Sequence, residues 1–346
     1  MAFRDFPFPE YQCLFPTRAQ VLGYLHQFAD YADFRPLTRF RTNVESIERA
    51  EHYGPGKSKW HVQARSLEYP GEVQEDSFDY VAIASGWARV PRIPHIQGSN
   101  YFKGQQLHSA WYRTPVPFRG KRVLIVGNFS SGADIARELC GGSVRSFDGV
   151  EEWQSDANAN PPRTGTVVYN SYRDPSQPPP LDYDPRDKNS PAWCKRINVV
   201  ACVDHFDEDG SVILGDGTKL EVDVIFWATG FWRTLPFLDQ KKEPFTQHPI
   251  VPSVGSQLDQ VEGADPVPVL ANDELSGTSS LTNLDDWQIF YESDKTLALV
   301  GVPNHIIPFH FTHIQSRYVT CLTTGSLPSI GPDAWRSFHD SILRCA

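Results

Sequence analysis

The sequence predicts an α/β fold built around a dinucleotide-binding βαβ unit, and three observations support this prediction. The continuous apolar run at residues 123–126 is typical of a buried parallel strand. It ends at Gly127, and a second glycine, Gly132, follows five positions later. Beyond residue 130, Ile135 and Leu139 recur at helical spacing. A strand, a glycine-containing turn and a helix in this order open a Rossmann unit.

The turn departs in one place from the usual G-x-G-x-x-G pattern, because Phe129 stands at the second glycine. A helix that begins at this turn would present free amides and the positive end of its dipole to a pyrophosphate. A strand-turn-helix of some other α/β protein stays the alternative for the hexapeptide taken alone. We predict that the cofactor is bound by Gly127, Asn128, Ser130, Ser131 and Gly132.

Before the turn, the sequence predicts a helix and then a β-meander. Apolar residues at helical spacing predict the helix over residues 21–32. Alternating or apolar runs predict strands within residues 38–47, 60–64 and 78–84. The last strand runs into the small residues Ser85 and Gly86.

After the turn, residues 143–148 are the candidate second strand of the unit. Asp148 lies 21 positions after Gly127, where an acidic residue accepts the ribose hydroxyls and disfavours a 2′-phosphate. A solvated turn residue is the alternative reading of Asp148. Residues 151–196 are rich in proline, asparagine and aspartate, which predicts a long surface excursion.

The remaining elements follow from apolar runs and turn residues. They are a hairpin of residues 197–203 and 211–214, a buried strand at 223–227 that runs into Ala228, Thr229 and Gly230, strands at 287–291 and 297–301, and a final helix through 312–322.

Composition limits the functional classes. The chain has 346 residues, enough for two domains, and its 40% hydrophobic and 21% charged residues describe an ordinary globular protein. A net charge of -10 without a basic block argues against nucleic acid and anionic membranes as partners. Because no apolar run reaches about 18 residues and no signal peptide opens the chain, we predict no membrane span and a cytoplasmic location. Six scattered cysteines without ligand spacing predict no metal site.

Directly before the turn stands Phe102-x-Gly104-x-x-x-His108-Ser109-x-x-Tyr112. This stretch resembles the identifying sequence of the flavin-containing monooxygenases. The related Baeyer-Villiger enzymes carry tryptophan where this chain has Tyr112, so the resemblance is to the branch that oxidises nitrogen and sulfur. It runs from residue 3 to about residue 330 and is closest to the fungal members.

The resemblance implies two Rossmann-like domains, one for FAD and one for NADPH or NADH. The FAD domain would be discontinuous, formed by residues 1–112 and 227–346, with the nicotinamide domain inserted at 113–226. Ser85, Gly86, Thr229, Gly230 and Gln315 would lie against the flavin, and His108 would support the region between the domains without transferring a proton. No catalytic side chain is assigned, because the cofactor carries the chemistry.

The resemblance also implies an FAD fingerprint upstream of residue 3, and no glycine-rich turn occurs before residue 102. We therefore expect an N-terminally truncated FAD domain in which FAD is absent or weakly held, and a low monooxygenase activity of this chain. The expected activity is oxygenation of a soft nitrogen or sulfur in a small organic molecule by dioxygen and NAD(P)H, with a place in secondary metabolism. The alternative is a nicotinamide-binding remnant or regulatory partner that cannot hold FAD. A flavin-free reductase is disfavoured, since no Tyr-x-x-x-Lys pair lies near the turn. The oligomeric state is not predicted.

Overall fold

The computed structural model describes residues 2–3, 5–10, 16–50, 59–141, 165–179, 183–252, 280–302 and 308–326. The helices within this part of the chain are α1 (Arg18–Tyr31), α2 (Ser130–Leu139) and α3 (Pro308–Thr323). The strands are β1 (Thr42–Arg49), β2 (Trp60–Ser66), β3 (Val73–Phe78), β4 (Val81–Ile83), β5 (Val90–Pro91), β6 (Gln105–His108), β7 (Arg122–Val126), β8 (Val167–Ser171), β9 (Ile197–Val200), β10 (Val203–Phe206), β11 (Val212–Leu214), β12 (Lys219–Leu220), β13 (Val224–Trp227), β14 (Phe231–Trp232) and β15 (Leu297–Leu299). Short 3₁₀ turns occupy Arg35–Leu37, Ser99–Tyr101, Ser109–Trp111, Val116–Phe118 and Cys194–Arg196.

The largest sheet has five parallel strands in the order β6-β13-β7-β8-β9. Its central strands read as unbroken apolar runs because both faces are covered. On one face, Val123 and Ile125 pack against Ile135 and Leu139 of α2. On the other face, Leu124 packs with residues of the antiparallel sheet β10-β11-β12. The predicted Rossmann-type layering of helix and parallel sheet is therefore confirmed. Strand β6 belongs to this sheet, although it lies outside the predicted 113–226 segment.

A second body is built on the parallel pair β4-β15 and the antiparallel meander β1-β2-β3. Its core contains Trp60, Ile83, Leu297 and Leu299, all buried. The indole Nε1 of Trp60 donates to Thr296 Oγ1 at 2.9 Å, so the largest core side chain is also satisfied as a polar group. This bond ties the meander to the turn that precedes β15.

Two short strands cross between these bodies. β5 and β14 pair antiparallel, with Phe231 opposite Pro91 and Trp232 opposite Val90. β5 follows β4, and β14 follows β13. The chain thus leaves the β4 region and returns to it through one paired ribbon.

Several predicted elements are confirmed, namely α1, α3, the meander strands β1 and β2, the strand at 297–299 and the hairpin turn at 207–210. The predicted strand at 143–148 lies outside the described residues.

The predicted surface excursion over 151–196 is wrong where it meets β8. Within β8, Val168, Asn170 and Ser171 are buried. The strand escaped prediction because two of its inward residues are polar, and their bonding partners are distant in sequence.

Two other strand predictions are corrected. The predicted strand at 197–203 is divided, because β9 ends at Val200 in the parallel sheet and β10 begins at Val203 in the antiparallel one. The predicted strand at 287–291 is mostly a turn: the carboxylate of Asp285 accepts the amides of Ile289 and Phe290, which leaves only isolated bridges.

Candidate functional site

Gly127 ends β7 in a conformation that favours glycine. Its φ is +108°, and its amide donates to Ser171 O at 3.2 Å. A Cβ at this position would come within 2.6 Å of the Ala228 carbonyl oxygen. The turn therefore packs directly on the backbone that follows β13.

Gly132 holds α2 against the same turn. A Cβ on it would lie 2.1 Å from Gly127 O and 3.2 Å from Ala228 Cβ. Since Gly127 O is a backbone atom, no side-chain rotation can relieve the first contact. The helix can approach the strand this closely only with glycine at 132, which is the role of the third fingerprint glycine.

Asn170 is a residue that the sequence did not single out. Its buried side-chain amide donates to Ile125 O at 3.1 Å and to Gly127 O at 2.9 Å. It therefore links β8 to the end of β7 and to the first residue of the glycine turn. The sequence does offer a signal, because Asn170 directly follows the apolar run Val167-Val168-Tyr169. The prediction of a surface excursion over 151–196 did not take this run into account.

The first turn of α2 is open to an anion. Phe129 occupies the N-cap position without a side-chain hydrogen bond to the helix, and no acidic side chain lies in the first turn. Ser130 and Ser131 are exposed. Helix-start amides without such caps, together with the helix dipole, fit a phosphate group. The predicted residues 127–132 thus form one continuous cradle, with Asn128 half-buried inside it.

Asp148 lies outside the described residues. The strand that neighbours β7 on the side away from β13 is β8. In a Rossmann sheet the neighbour of the first strand ends beside the adenosine ribose. That end is followed here by Tyr172, which is buried, and by Arg173, which is exposed.

His108 ends β6 and is fully buried. Its Nδ1 accepts the Ala110 amide at 3.1 Å, so the ring proton resides on Nε2, which donates to Gly230 O at 2.8 Å. Burial lowers the pKa of His108, which keeps the imidazole neutral. Both ring nitrogens are used structurally, as expected for a supporting role.

The crossing ribbon is held by reciprocal bonds between Arg92 and residues 229–230. Arg92 Nε donates to Thr229 O at 2.9 Å, and the Arg92 amide donates to Gly230 O at 2.9 Å. The hydroxyl of Thr229 donates in turn to Arg92 O. Because His108 and Arg92 share Gly230 O as acceptor, the end of β6 and the crossing ribbon meet at one carbonyl.

At the carboxyl ends of β4 and β15, small residues border open space. Ser85 and Gly86 are exposed, and neither Gly86 nor Gly230 has a neighbour within 4 Å of where a Cβ would stand. Gln315 of α3 is buried; its Oε1 accepts the Gly301 amide at 2.8 Å. Its Nε2 is buried without an acceptor among the described residues. A planar ring that carries hydrogen-bond acceptors fits this arrangement.

A groove of about 710 Å³ runs beside β4. It is lined by β1, β2, β4 and the segment around Phe237. On its border, Phe78 is 40% and Tyr80 45% exposed, whereas Ile83 beneath them is buried. The groove is therefore open beside the strand and mainly apolar, with Glu45 and Arg89 among the residues that line it.

No group of three or more His, Cys, Asp or Glu side chains able to hold a metal occurs among the described residues. Likewise, none of the helices within the described ranges is long and apolar enough to cross a membrane.

Comparisons with known proteins point to one family. The model of the flavin-binding monooxygenase-like (FMO-like) family matches residues 1–147. Flavin-containing monooxygenase FMO GS-OX-like 9 of Arabidopsis thaliana is 29% identical over 99% of the chain, and FMO GS-OX3 of the same plant is 28% identical over 99%. In each case the chain spans 63% of the length of the curated relative.

Solved structures share the fold. S-allyl-L-cysteine S-oxygenase from Allium sativum superposes with a TM-score of 0.64 at 22% identity, over 93% of this chain and 59% of that one. Tmm from Pelagibacter sp. gives 0.66 at 19% identity, over 96% and 60%. A flavin-containing monooxygenase from Stenotrophomonas maltophilia gives 0.58 at 21%, over 94% and 82%. By the family model over residues 1–147 and by these relatives, the chain is similar to the flavin-containing monooxygenases, and its glycine turn follows the Phe102–Tyr112 stretch.

Proposed function

We propose that the chain forms part of an FAD- and NADPH-dependent monooxygenase that oxygenates a soft sulfur or nitrogen of a small organic molecule with dioxygen. The observation that carries this proposal is the junction at Gly230 O. There His108 at the end of β6 and Arg92 after β5 share one acceptor, two residues beyond Ala228, on which the glycine turn packs.

In this proposal residues 113–226 hold the nicotinamide cofactor, and the segments 1–112 and 227–346 face FAD. Bound FAD supplies hydride acceptance and oxygen activation. The residues of the chain bind the cofactors and orient them. The cradle at 127–132 holds the pyrophosphate of NADPH; Ser85, Gly86, Thr229 and Gly230 leave room for the flavin; Gln315 Nε2 donates to it. His108 stays neutral and fixes the position of the nicotinamide-binding segment relative to the FAD-facing segments.

NADPH is preferred over NADH in this proposal, and Arg173 is the residue that supports the preference. It follows the strand next to β7, where a basic side chain can pair with the 2′-phosphate. Asp148, which the sequence predicts to disfavour a 2′-phosphate, lies outside the described residues, so its effect on this preference stays a prediction.

A sulfide is the better-supported nucleophile. One protein with the same fold is an S-allyl-L-cysteine S-oxygenase from Allium sativum. We propose the same class of reaction here, in the cytoplasm and without nucleic acid as a partner.

The test is purification with added FAD, a visible spectrum, and NADPH oxidation with and without a thioether. The expected result is bound flavin and oxidation that rises with the thioether, with sulfoxide as product. A Gly132→Ala variant should lose this activity, whereas Gly23→Ala, a change in α1 where a Cβ meets no atom within 4 Å, should keep it. A colourless protein that binds NADPH but oxidises none of it would favour the non-catalytic nicotinamide-binding module instead.

A further inference from the structure

Arg233 is a half-buried cation without a counter-charge in the described part of the chain. It follows β14, and its Nη1 donates to Val302 O at 2.6 Å. No carboxylate among the described residues forms an ion pair with it. Burial lowers the pKa of its guanidinium, and no neighbouring carboxylate counters that effect. Arginine nevertheless stays charged in proteins.

A second unused donor lies beside it. The guanidinium carbon of Arg233 stands over the Trp87 ring, 5.5 Å from the centroid. The indole Nε1 of Trp87 is buried without an acceptor among the described residues. Trp87 directly follows Gly86 and packs on the core cluster that contains Val302. One charged and one neutral donor therefore border the same edge of β4 and β15.

The position of Gln315 shows where these donors lie relative to the proposed flavin. Its side chain accepts the Gly301 amide, while Arg233 donates to the carbonyl of the next residue, Val302. The donors of Arg233 and Trp87 are thus adjacent to, but separate from, the Gln315 Nε2 that would meet the flavin.

A buried cation is costly unless a negative charge offsets it. The guanidinium has five donors in a planar fork, of which the carbonyl of Val302 takes one. The geometry of the fork matches a carboxylate better than a single carbonyl oxygen. An oxidised flavin ring is neutral, and the pyrophosphate has its own type of cradle at a helix start.

We propose that Arg233 and Trp87 bind the carboxylate of the oxygenated substrate, which makes the substrate class carboxylated thioethers or amines. This inference rests on the proposed function and narrows its substrate. It assigns specificity to a pair of side chains outside the phosphate cradle and outside the crossing ribbon. An anionic substrate would be held by its carboxylate while its sulfur or nitrogen reaches the flavin.

The experiment measures binding, not turnover. The FAD-supplemented chain is titrated calorimetrically with S-methyl-L-cysteine and with its carboxamide, in which a neutral amide of similar size replaces the carboxylate. The wild type should bind the carboxylate at least about tenfold more tightly, the range expected for a charge-assisted pair. Arg233→Gln should reduce this ratio to about two or less, Arg233→Lys should keep part of it, and Trp87→Phe should lower it while retaining the ring. Arg89→Gln removes a nearby exposed charge and should leave the ratio unchanged.

FAD affinity is measured in parallel from the visible absorbance. Equal binding of acid and amide by the wild type would overturn the proposal, as would an unchanged ratio in Arg233→Gln. A loss of FAD affinity in Arg233→Gln, with the ratio intact, would assign the guanidinium to the flavin and also overturn it. If the ratio behaves as expected but no thioether-dependent NADPH oxidation occurs, the carboxylate site stands and the proposed function fails.

Discussion

At the residue scale, the conformation of Phe129 explains why the turn can form without the second glycine of the G-x-G-x-x-G fingerprint. Its φ is -92°, an ordinary conformation for any residue, and its side chain is 48% exposed. Gly127 and Gly132, in contrast, have backbone contacts that any Cβ would violate. The two glycines that remain are therefore those that the geometry requires.

We expect Gly132→Ala to weaken NADPH binding about tenfold or more, because the added methyl group must push α2 away from Gly127 O. The same overpacking should lower the free energy of unfolding by roughly 1–3 kcal/mol. Fluorescence titration and thermal unfolding measure both effects. Gly23→Ala is the control. An unchanged NADPH affinity in Gly132→Ala would remove the cofactor from this turn.

At the scale of elements, β8 is the neighbour of β7 on the side where the proposed nicotinamide cofactor would place its adenosine ribose. Its direct pairing with β7 brings Arg173, not an acidic residue, to the end of the neighbouring strand. The buried Asn170 fixes this register by bonding the carbonyls of Ile125 in β7 and of Gly127 in the turn. A polar side chain therefore specifies the pairing of β8 with β7.

Arg173→Ala should lower the preference for NADPH over NADH by about 1 kcal/mol, the size of one exposed charge contact. Steady-state KM values for the two cofactors provide the ratio. Asp148→Ala serves as the comparison and should leave the ratio unchanged. The opposite pattern, a response to Asp148→Ala alone, would restore the acidic residue to the ribose site.

The link between β7 and β13 should make stability depend on pH. The side chain and amide of Arg122 bond the Asp223 carboxylate, at 2.9 and 2.8 Å, and hold its pKa below the usual range. A carboxylate whose pKa is lower in the folded than in the unfolded protein stabilises the fold at pH values above its unfolded-state pKa. This stabilisation is lost as the pH falls through its folded-state pKa. Solvent screening keeps the contribution small, since both side chains are 41% exposed.

Asp223→Asn should therefore lower the free energy of unfolding at neutral pH and have a smaller effect in acid. Denaturant unfolding at several pH values measures the difference. Asp204→Asn, a change at an exposed carboxylate without an arginine partner in the described structure, is the control. An equal loss at all pH values would show that the carboxylate charge is not the cause.

For the whole molecule, the sequence predicted what depends on neighbours along the chain. The strand, glycine turn and helix at 123–139 are local, and so are α1, α3 and the pair of β1 and β2. The strand predicted at 78–84 as the end of the meander is wrong in its partner, because β4 pairs with β15 and the third meander strand is β3. The sequence could not predict β8, because the groups that satisfy Asn170 lie 43 and 45 residues away. Nor could it show that Arg233 lacks a carboxylate partner among the described residues, since that depends on contacts with Val302 and Trp87, which are distant in sequence. His108 was assigned a supporting role by resemblance, and the shared acceptor Gly230 O gives a physical reason for it.

The groove beside β4 has a consequence for behaviour in solution. Val81 N–H and Ile83 C=O bond the chain around β15, so the backbone groups of Ala82 point toward the groove. An open strand edge with apolar borders invites pairing with another copy. At low ionic strength, the net charge of -10 keeps copies apart, and added salt screens that repulsion within about 10 Å at 0.1 M.

Sedimentation velocity should accordingly show a weight-average mass that rises with sodium chloride at fixed protein concentration. Tyr80→Lys should suppress the rise, although it makes the net charge less negative and so weakens the general repulsion. A lysine at Glu208, an exposed position in the 207–210 turn, changes the net charge in the same direction away from the groove and should not suppress it. If salt leaves the weight-average mass of the wild type unchanged, the groove does not mediate self-association. If salt raises it, the storage buffer determines how much of this protein is monomeric.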